Sequence, residues 1–230
     1  MGDIGGLAYQ ISTWILPALT AITLHEAAHG FVAWHLGDDT AKRLGRVTFN
    51  PLRHVDPFGT VILPAMLLLA SGGRLMFGFA KPVPVDFRRL HHPRRDMVLV
   101  AAAGPGINIA IAVLAAVLLA MIPAEPGAAL TWVGTNLVNA VWLNVLLAVF
   151  NMLPLPPLDG GRVAVGLLPP VLAVPFSRIE PYGFFIILAV VFVLPLLGNT
   201  LGVDLGIFQW LVIGPSMWVV EFIFSLVGIG

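Results

Sequence analysis

Apolar residues along this chain gather in long blocks at 7–35, 97–122, 132–153, 181–198 and 207–229, separated by short polar intervals. A spanning helix needs about 17–25 mostly apolar residues, so each block predicts a membrane helix. A shorter block, 58–72, is followed by the glycine-interrupted LMFGFA at 75–80. That pair predicts either a sixth, short span or a segment that enters and returns. The basic residues decide between them. Lys42, Arg43, Arg46 and Arg53 fall in the interval 36–56, and Lys81, Arg88, Arg89, Arg94 and Arg95 fall in 81–96. Basic loops stay on the cytoplasmic side, and both can do so only if 58–80 goes in and comes back. Irregular backbone at that depth must be covered by protein or line a wet cavity. The pattern predicts an all-α polytopic membrane protein with five to six transmembrane helices and a short re-entrant or extended segment near 58–85. The start of the chain and the loop 123–131 then face outward, and Arg162, Arg178 and the C-terminus face the cytoplasm.

Composition narrows the classes further. Apolar types make up 58% of the 230 residues and charged types 10%, against about 25% charged in an ordinary soluble domain. The lipid bilayer is therefore the surroundings this chain requires. Twelve basic residues balance twelve acidic ones, so no net field favours nucleic acid. Cysteine is absent, which leaves His, Asp, Glu or backbone oxygen to hold any metal. The opening MGDIGGLAYQ lacks the basic region and cleavage site of a signal peptide, and the first block is expected to stay in the mature chain. No loop exceeds about 26 residues, where an independent domain needs at least about 50. A single membrane-embedded domain over 1–230 is expected, with a core at 7–168 and accessory helices at 181–229. No inverted repeat of the transporter kind is visible.

Against this apolar background TLHEAAHGF, residues 23–31, stands out. His25 and His29 are one helical turn apart and point two imidazoles the same way, toward a single ion. Glu26 is rotated by about 100° and flanks that ion, placed to take a proton from water rather than to ligate. Six His and four Glu in 230 residues give HExxH by chance roughly 0.003 times. The plainer reading is a pair of interior histidines bonded to carbonyls, but ionisable groups inside a membrane cost about 2.5–3.5 kcal/mol each and mark function.

Two imidazoles do not complete a catalytic site, which ordinarily has three protein ligands. Asp3, Asp38, Asp39, Asp96, Glu125 and Asp204 fall in predicted loops or termini. Asp159 sits in NMLPLPPLDGGR, residues 151–162, directly after an apolar helix that Pro154, Pro156 and Pro157 must break. Gly160 and Gly161 there offer backbone freedom to turn the carboxylate inward, although DGG is also a common turn string. Glu221, inside the last apolar block, is the rival third ligand. His54 and Asp56, at a membrane edge, could lie near the site, but such a pair is more often solvated, and they are set aside.

HEAAH in one membrane helix followed by NMLPLPPLDGG in a later one resembles the site-2 protease family of intramembrane zinc metalloproteases. GPGIN at 104–108 is similar to that family's intermediate Gly-Pro-x-x-Asn element, and the likeness runs in order over about residues 20–165. It implies His25, His29 and Asp159 as ligands of one Zn2+ per chain and Glu26 as catalytic acid/base. Asn151 matches the motif asparagine implicated in holding substrate or the oxyanion. Asn108 matches the asparagine of the intermediate element and is, like Asn151, a candidate donor to the reacting oxyanion; helix packing through Gly104 and Gly106 is its alternative role. The chain lacks the PDZ insertion and CBS appendage of other branches and looks like the minimal branch. The resemblance implies regulated intramembrane proteolysis of membrane-spanning protein substrates, and the topology read from the basic loops puts the active site toward the cytoplasmic side of the expected cell membrane. The AKPVPV stretch at 80–85, extended by its prolines, would present an edge to an unwound substrate strand.

Other classes fit less well. A metal transporter needs sites repeated along a path, an inactive scaffold would have an altered Glu26 or lack a third ligand, and a zinc hydrolase of lipids or prenylated proteins lacks a reason for LDGG. Nothing in the sequence sets the substrate or the oligomeric state.

Overall fold

The computed structural model describes residues 4–70, 78 and 80–229, and among them every regular element is helical. The longest is α1, Ile4–His35, whose 32 residues extend about 48 Å at 1.5 Å each, more than the roughly 30 Å hydrocarbon core. A one-turn α2, Thr40–Arg43, follows, then α3, Leu63–Ala70. The chain next forms α4, Pro93–Ala120, and α5, Ala128–Asn151, joined by a short turn, then α6, Asp159–Leu167, and α7, Pro170–Ser177. Two helical runs finish it: α8, Glu180–Leu188, continuing into α9, Leu194–Leu201, and a last run ending in α10, Gly214–Leu226.

Four of these runs are long and apolar enough to cross a membrane: Pro93–Ala120, Ala128–Asn151, Glu180–Leu201 and Gln209–Leu226. With α1, which has the length for a fifth, they match the apolar blocks of the sequence. The chain is an integral, multi-pass membrane protein. The inward leg of the expected re-entrant segment is helical, through Pro57–Ile62 and α3. Its return leg falls on residues 71–77 and 79, which lie outside the described residues.

Three helical stretches have π geometry, at Pro57–Ile62, Ala189–Val193 and Gln209–Ile213. Each runs into an α-helix whose second residue is a proline: Pro64, Pro195 and Pro215. Proline has no N–H and its ring clashes with the carbonyl four residues back. At Pro195 and Pro215 the wider turn just upstream relieves that clash without ending the helix.

Helices α1, α4 and α5 pack together as the centre of the protein, α6 lies against α4, and α10 closes over α5 and α4. The contact between α4, α5 and α10 is made by Ala112, Ala115, Ala116, Val141, Val145, Val220 and Ile223. Small side chains on α4 let the backbones approach closely, which is where membrane helices gain packing energy. Hydrogen bonds join α5 to α1: Trp132 Nε1 donates to Ser12 Oγ at 2.9 Å and Asn139 Nδ2 to the Thr13 carbonyl at 3.0 Å. Each bond of this kind is worth on the order of 0.6 kcal/mol.

At one end of the bundle the segments 36–56 and 80–92 cover α1. Asp38 is fully buried and accepts from Thr40 N at 3.1 Å and from Asp86 N at 2.7 Å, so it ties the two segments together. Asp96, expected in a loop, lies in the first turn of α4 and accepts from His92 N at 2.7 Å. His54 is buried rather than solvated, with Nε2 3.2 Å from the Thr48 carbonyl, and Asp56 caps the turn Pro57–Ile62 through Gly59 N at 2.7 Å. Both hold this cover together.

Candidate metal centre

His25 and His29 are both buried on α1, and their Nε2 atoms are 3.1 Å apart. Asp159, the first residue of α6, brings Oδ2 to 3.2 Å from His25 Nε2 and 3.3 Å from His29 Nε2. The backs of the two rings identify which nitrogen carries the proton. His29 Nδ1 is 2.7 Å from the Val100 carbonyl, which can only accept, so Nδ1 donates. His25 Nδ1 is 2.5 Å from Asn108 Oδ1. That oxygen is oriented by a relay: Asn144 Nδ2 donates to the Ala140 carbonyl at 2.8 Å, which turns Asn144 Oδ1 toward Asn108. Asn108 Nδ2 donates to it at 2.7 Å and to the Ala21 carbonyl at 3.3 Å. With both Nδ1 atoms protonated, both Nε2 atoms present lone pairs.

Two imidazole lone pairs and a carboxylate oxygen therefore converge in a triangle of 3.1–3.3 Å edges. Asp159 Oδ2 is buried and has no hydrogen-bond donor. Three electron-rich atoms at that distance repel one another unless a cation lies among them. Two ligands about 2.0–2.1 Å from a tetrahedral zinc ion are about 3.3 Å apart, and two nitrogens with one oxygen are an ordinary zinc donor set. The residues fit that ion; among the described residues they are the group able to hold a metal. Gly104 on α4 leaves the room: a Cβ there would lie 2.5 Å from His29 Nε2 and 2.6 Å from His25 Nε2.

The geometry of LDGG differs in one respect from the sequence expectation. Neither Gly160 nor Gly161 adopts a positive φ. They are small because the preceding loop folds back onto the start of α6: a Cβ on Gly160 would meet the Met152 carbonyl at 2.2 Å, and one on Gly161 would meet Pro156 N at 2.3 Å. Close approach, not backbone freedom, puts Asp159 where it is. As the first helical residue it also sits favourably in the field of the α6 N-terminus.

Beside the triangle opens a cavity of about 570 Å³, walled by Ile22, Val85, Phe150, Phe184 and Ile187 among others. Glu26 and Asn151 line it. Glu26 is half-buried, and its Oε2 accepts a hydrogen bond from Val83 N at 2.7 Å. Asn151 ends α5 and spends one amide hydrogen on the Leu147 carbonyl at 2.9 Å, which leaves its second N–H. Arg162 and Glu180 also line the cavity and approach to 3.7 Å, with the Arg162 guanidinium 5.4 Å from the Phe87 ring centre.

Five of the six site residues expected from sequence thus meet at one place in the cavity. Asn108 reaches the site from the far side of His25, fully buried, with Nδ2 bonded to Ala21 and Asn144. That position corrects the expectation that it donates to a reacting oxyanion, because both its amide hydrogens are engaged. Glu221 is exposed on α10 and outside the ligand group. Sequence reasoning missed Asn144, Val100 and Val83. Asn144, a polar residue inside an apolar helix, carried a signal; the other two act through backbone atoms that leave none.

Partners behind metal-binding histidines typically affect metal affinity by about 10–100-fold. Asn108→Leu is expected to weaken zinc binding by that order, read by competition with a chromogenic chelator. Unchanged affinity would mean the relay does not orient His25.

The profile described as "Peptidase family M50" matches residues 121–194. The "Putative zinc metalloprotease YwhC" of Bacillus subtilis (strain 168) is 42% identical over 186 residues, 79% of this chain and 80% of that one. This chain belongs to peptidase family M50, the site-2 protease family. It is a zinc metalloprotease by that membership. Its similarity extends to the Rip2 protein of Mycolicibacterium smegmatis, which bears the same zinc metalloprotease title, at 32% identity over 80% of this chain and 66% of that one. MJ0611 of Methanocaldococcus jannaschii, titled likewise, is 35% identical over 99 residues, 42% of this chain and 49% of that one. No solved structure gives a significant match.

Proposed function

We propose that this zinc metalloprotease hydrolyses peptide bonds within or near the membrane-spanning segments of other membrane proteins, as in regulated intramembrane proteolysis. His25, His29 and Asp159 hold one zinc ion and Glu26 is the catalytic acid/base. The observation that carries this reading is the placing of three convergent ligand atoms and Glu26 in one apolar-walled cavity between helices that cross the membrane. When bound, zinc polarises the scissile carbonyl and acidifies water. Glu26 takes the proton of the attacking water and returns it to the leaving amine. The second N–H of Asn151 is available to a substrate carbonyl or to the oxyanion that develops from it, where exclusion of water makes such a bond strongest.

His29 lies six residues before the end of α1, about 9 Å along the axis. The basic segments 36–56 and 81–96 lie beyond that end and support an active site facing the cytoplasm of a cell-membrane protein. The core at 7–168 carries the whole site except the cavity wall at Phe184 and Ile187, which the accessory helices at 181–229 supply, and Glu180 just before them.

A substrate helix hides its amides in its own hydrogen bonds, so it must unwind locally to be cut. A Gly lowers the cost of opening by about 1 kcal/mol relative to Ala, near fivefold in rate. A single-span test protein in nanodiscs is expected to be cut at or beside its span, several-fold faster for each Gly placed there and slower when these are replaced by Leu. Cutting confined to soluble loops, or indifferent to these replacements, would contradict the proposed substrate class.

A further inference from the structure

We propose that the main-chain N–H of Val83 is a positioning group for the reaction, holding the carboxylate of Glu26 by one oxygen and leaving the other for proton transfer. This rests on the reading of Glu26 as the acid/base. Val83 stands between Pro82 and Pro84, neither of which has an N–H. Across 82–84 it is therefore the sole backbone donor, and it is spent on Glu26 Oε2 at 2.7 Å. Pro84 restricts Val83 to extended backbone, so the donor is held in one direction.

The strap is itself fixed from behind. Arg46 is buried and donates through its terminal nitrogen to the Lys81 carbonyl at 2.6 Å, and Lys81 N donates to the His54 carbonyl at 2.9 Å. The buried Val83 side chain rests near Gly30 on α1, whose Cβ position would be 3.1 Å from Val83 Cγ1. Extended backbone suggested an edge for a substrate strand, but the one amide at its centre already has a partner inside the site. A carboxylate held at one oxygen keeps a fixed bearing on the reacting centre. Errors of about 1 Å in such placement cost on the order of 100-fold in rate.

The test uses full-length, zinc-loaded protein in nanodiscs and the single-span substrate. Val83→Pro removes the N–H and suits the extended backbone; Val83→Ala removes the packing and keeps the N–H. Val83→Pro is expected to lower kcat by about 10- to 100-fold with KM within about twofold, and Val83→Ala, which loses only packing, to lower it clearly less. Zinc content and melting temperature establish that both variants fold. In hydrogen exchange, the single amide of 82–84 is expected to be protected in wild type and in Glu26→Gln, which retains an acceptor oxygen, and to exchange freely in Glu26→Ala. A higher kcat in Val83→Pro would make the contact a latch and overturn the proposal. So would a pure rise in KM, which marks a substrate-binding edge, or equal losses in the two Val83 variants. Protection unaffected by Glu26→Ala would overturn it as well. If Glu26→Gln stays active, the acid/base reading itself fails; if Glu26→Gln is inactive and Val83→Pro is fully active, only this inference fails.

Discussion

Glu26→Gln is expected to leave one zinc per chain in place while turnover falls by roughly 100- to 10,000-fold, the range that a positioned acid/base contributes. The three atoms that form the ligand triangle belong to His25, His29 and Asp159, and Glu26 is not among them. Its carboxylate faces the cavity and accepts from Val83. Glutamine has the same shape and keeps an oxygen for Val83, but cannot take up a proton at that pH. Metal analysis of purified protein, beside cleavage of a single-span substrate, separates the two roles. Zinc lost together with activity would make Glu26 a ligand; activity near wild type would place the base elsewhere.

Asp159→Ala is expected to lose both zinc and activity. The variant leaves two imidazoles, one short of the ordinary three protein ligands. The loss of affinity should exceed the roughly 10–100-fold that follows from disturbing a partner behind a ligand. Folding of the variant is not expected to fail on packing grounds, because the close approach of the loop to α6 is made by Gly160 and Gly161. Zinc titration of the metal-free variant, with helicity measured in parallel, reads the effect. Asp159→Ala protein that retains zinc at wild-type affinity would assign the third ligand to another group.

The parts of this centre that were legible in the sequence are those with a local cause. HEAAH has helical spacing, so two imidazoles on one face could be read directly. The prolines after Asn151 had to end α5, and Asp159 follows within one short loop. The apolar blocks matched the helical runs because membrane helices are required by length and backbone satisfaction. What could not be read arises from contacts distant along the chain. Asn108 Oδ1 reaches His25 across 83 residues and Val83 N reaches Glu26 across 57; no periodicity records either. The LDGG glycines were legible as a requirement but not as its reason, since freedom at positive φ and close backbone approach select the same residue. His54 was misread as solvated because polarity beside a membrane block does not distinguish a covered segment from an open loop.

The claim on which the rest depends is that His25, His29 and Asp159 hold the zinc. X-ray absorption at the zinc edge tests it most directly, on wild type and on Asp159→His protein. A light-atom shell at about 2.0–2.1 Å with outer-shell scattering from two imidazoles is expected in wild type, and from three in the Asp159 variant. A third imidazole in wild type, or a variant spectrum that still shows two, would contradict it.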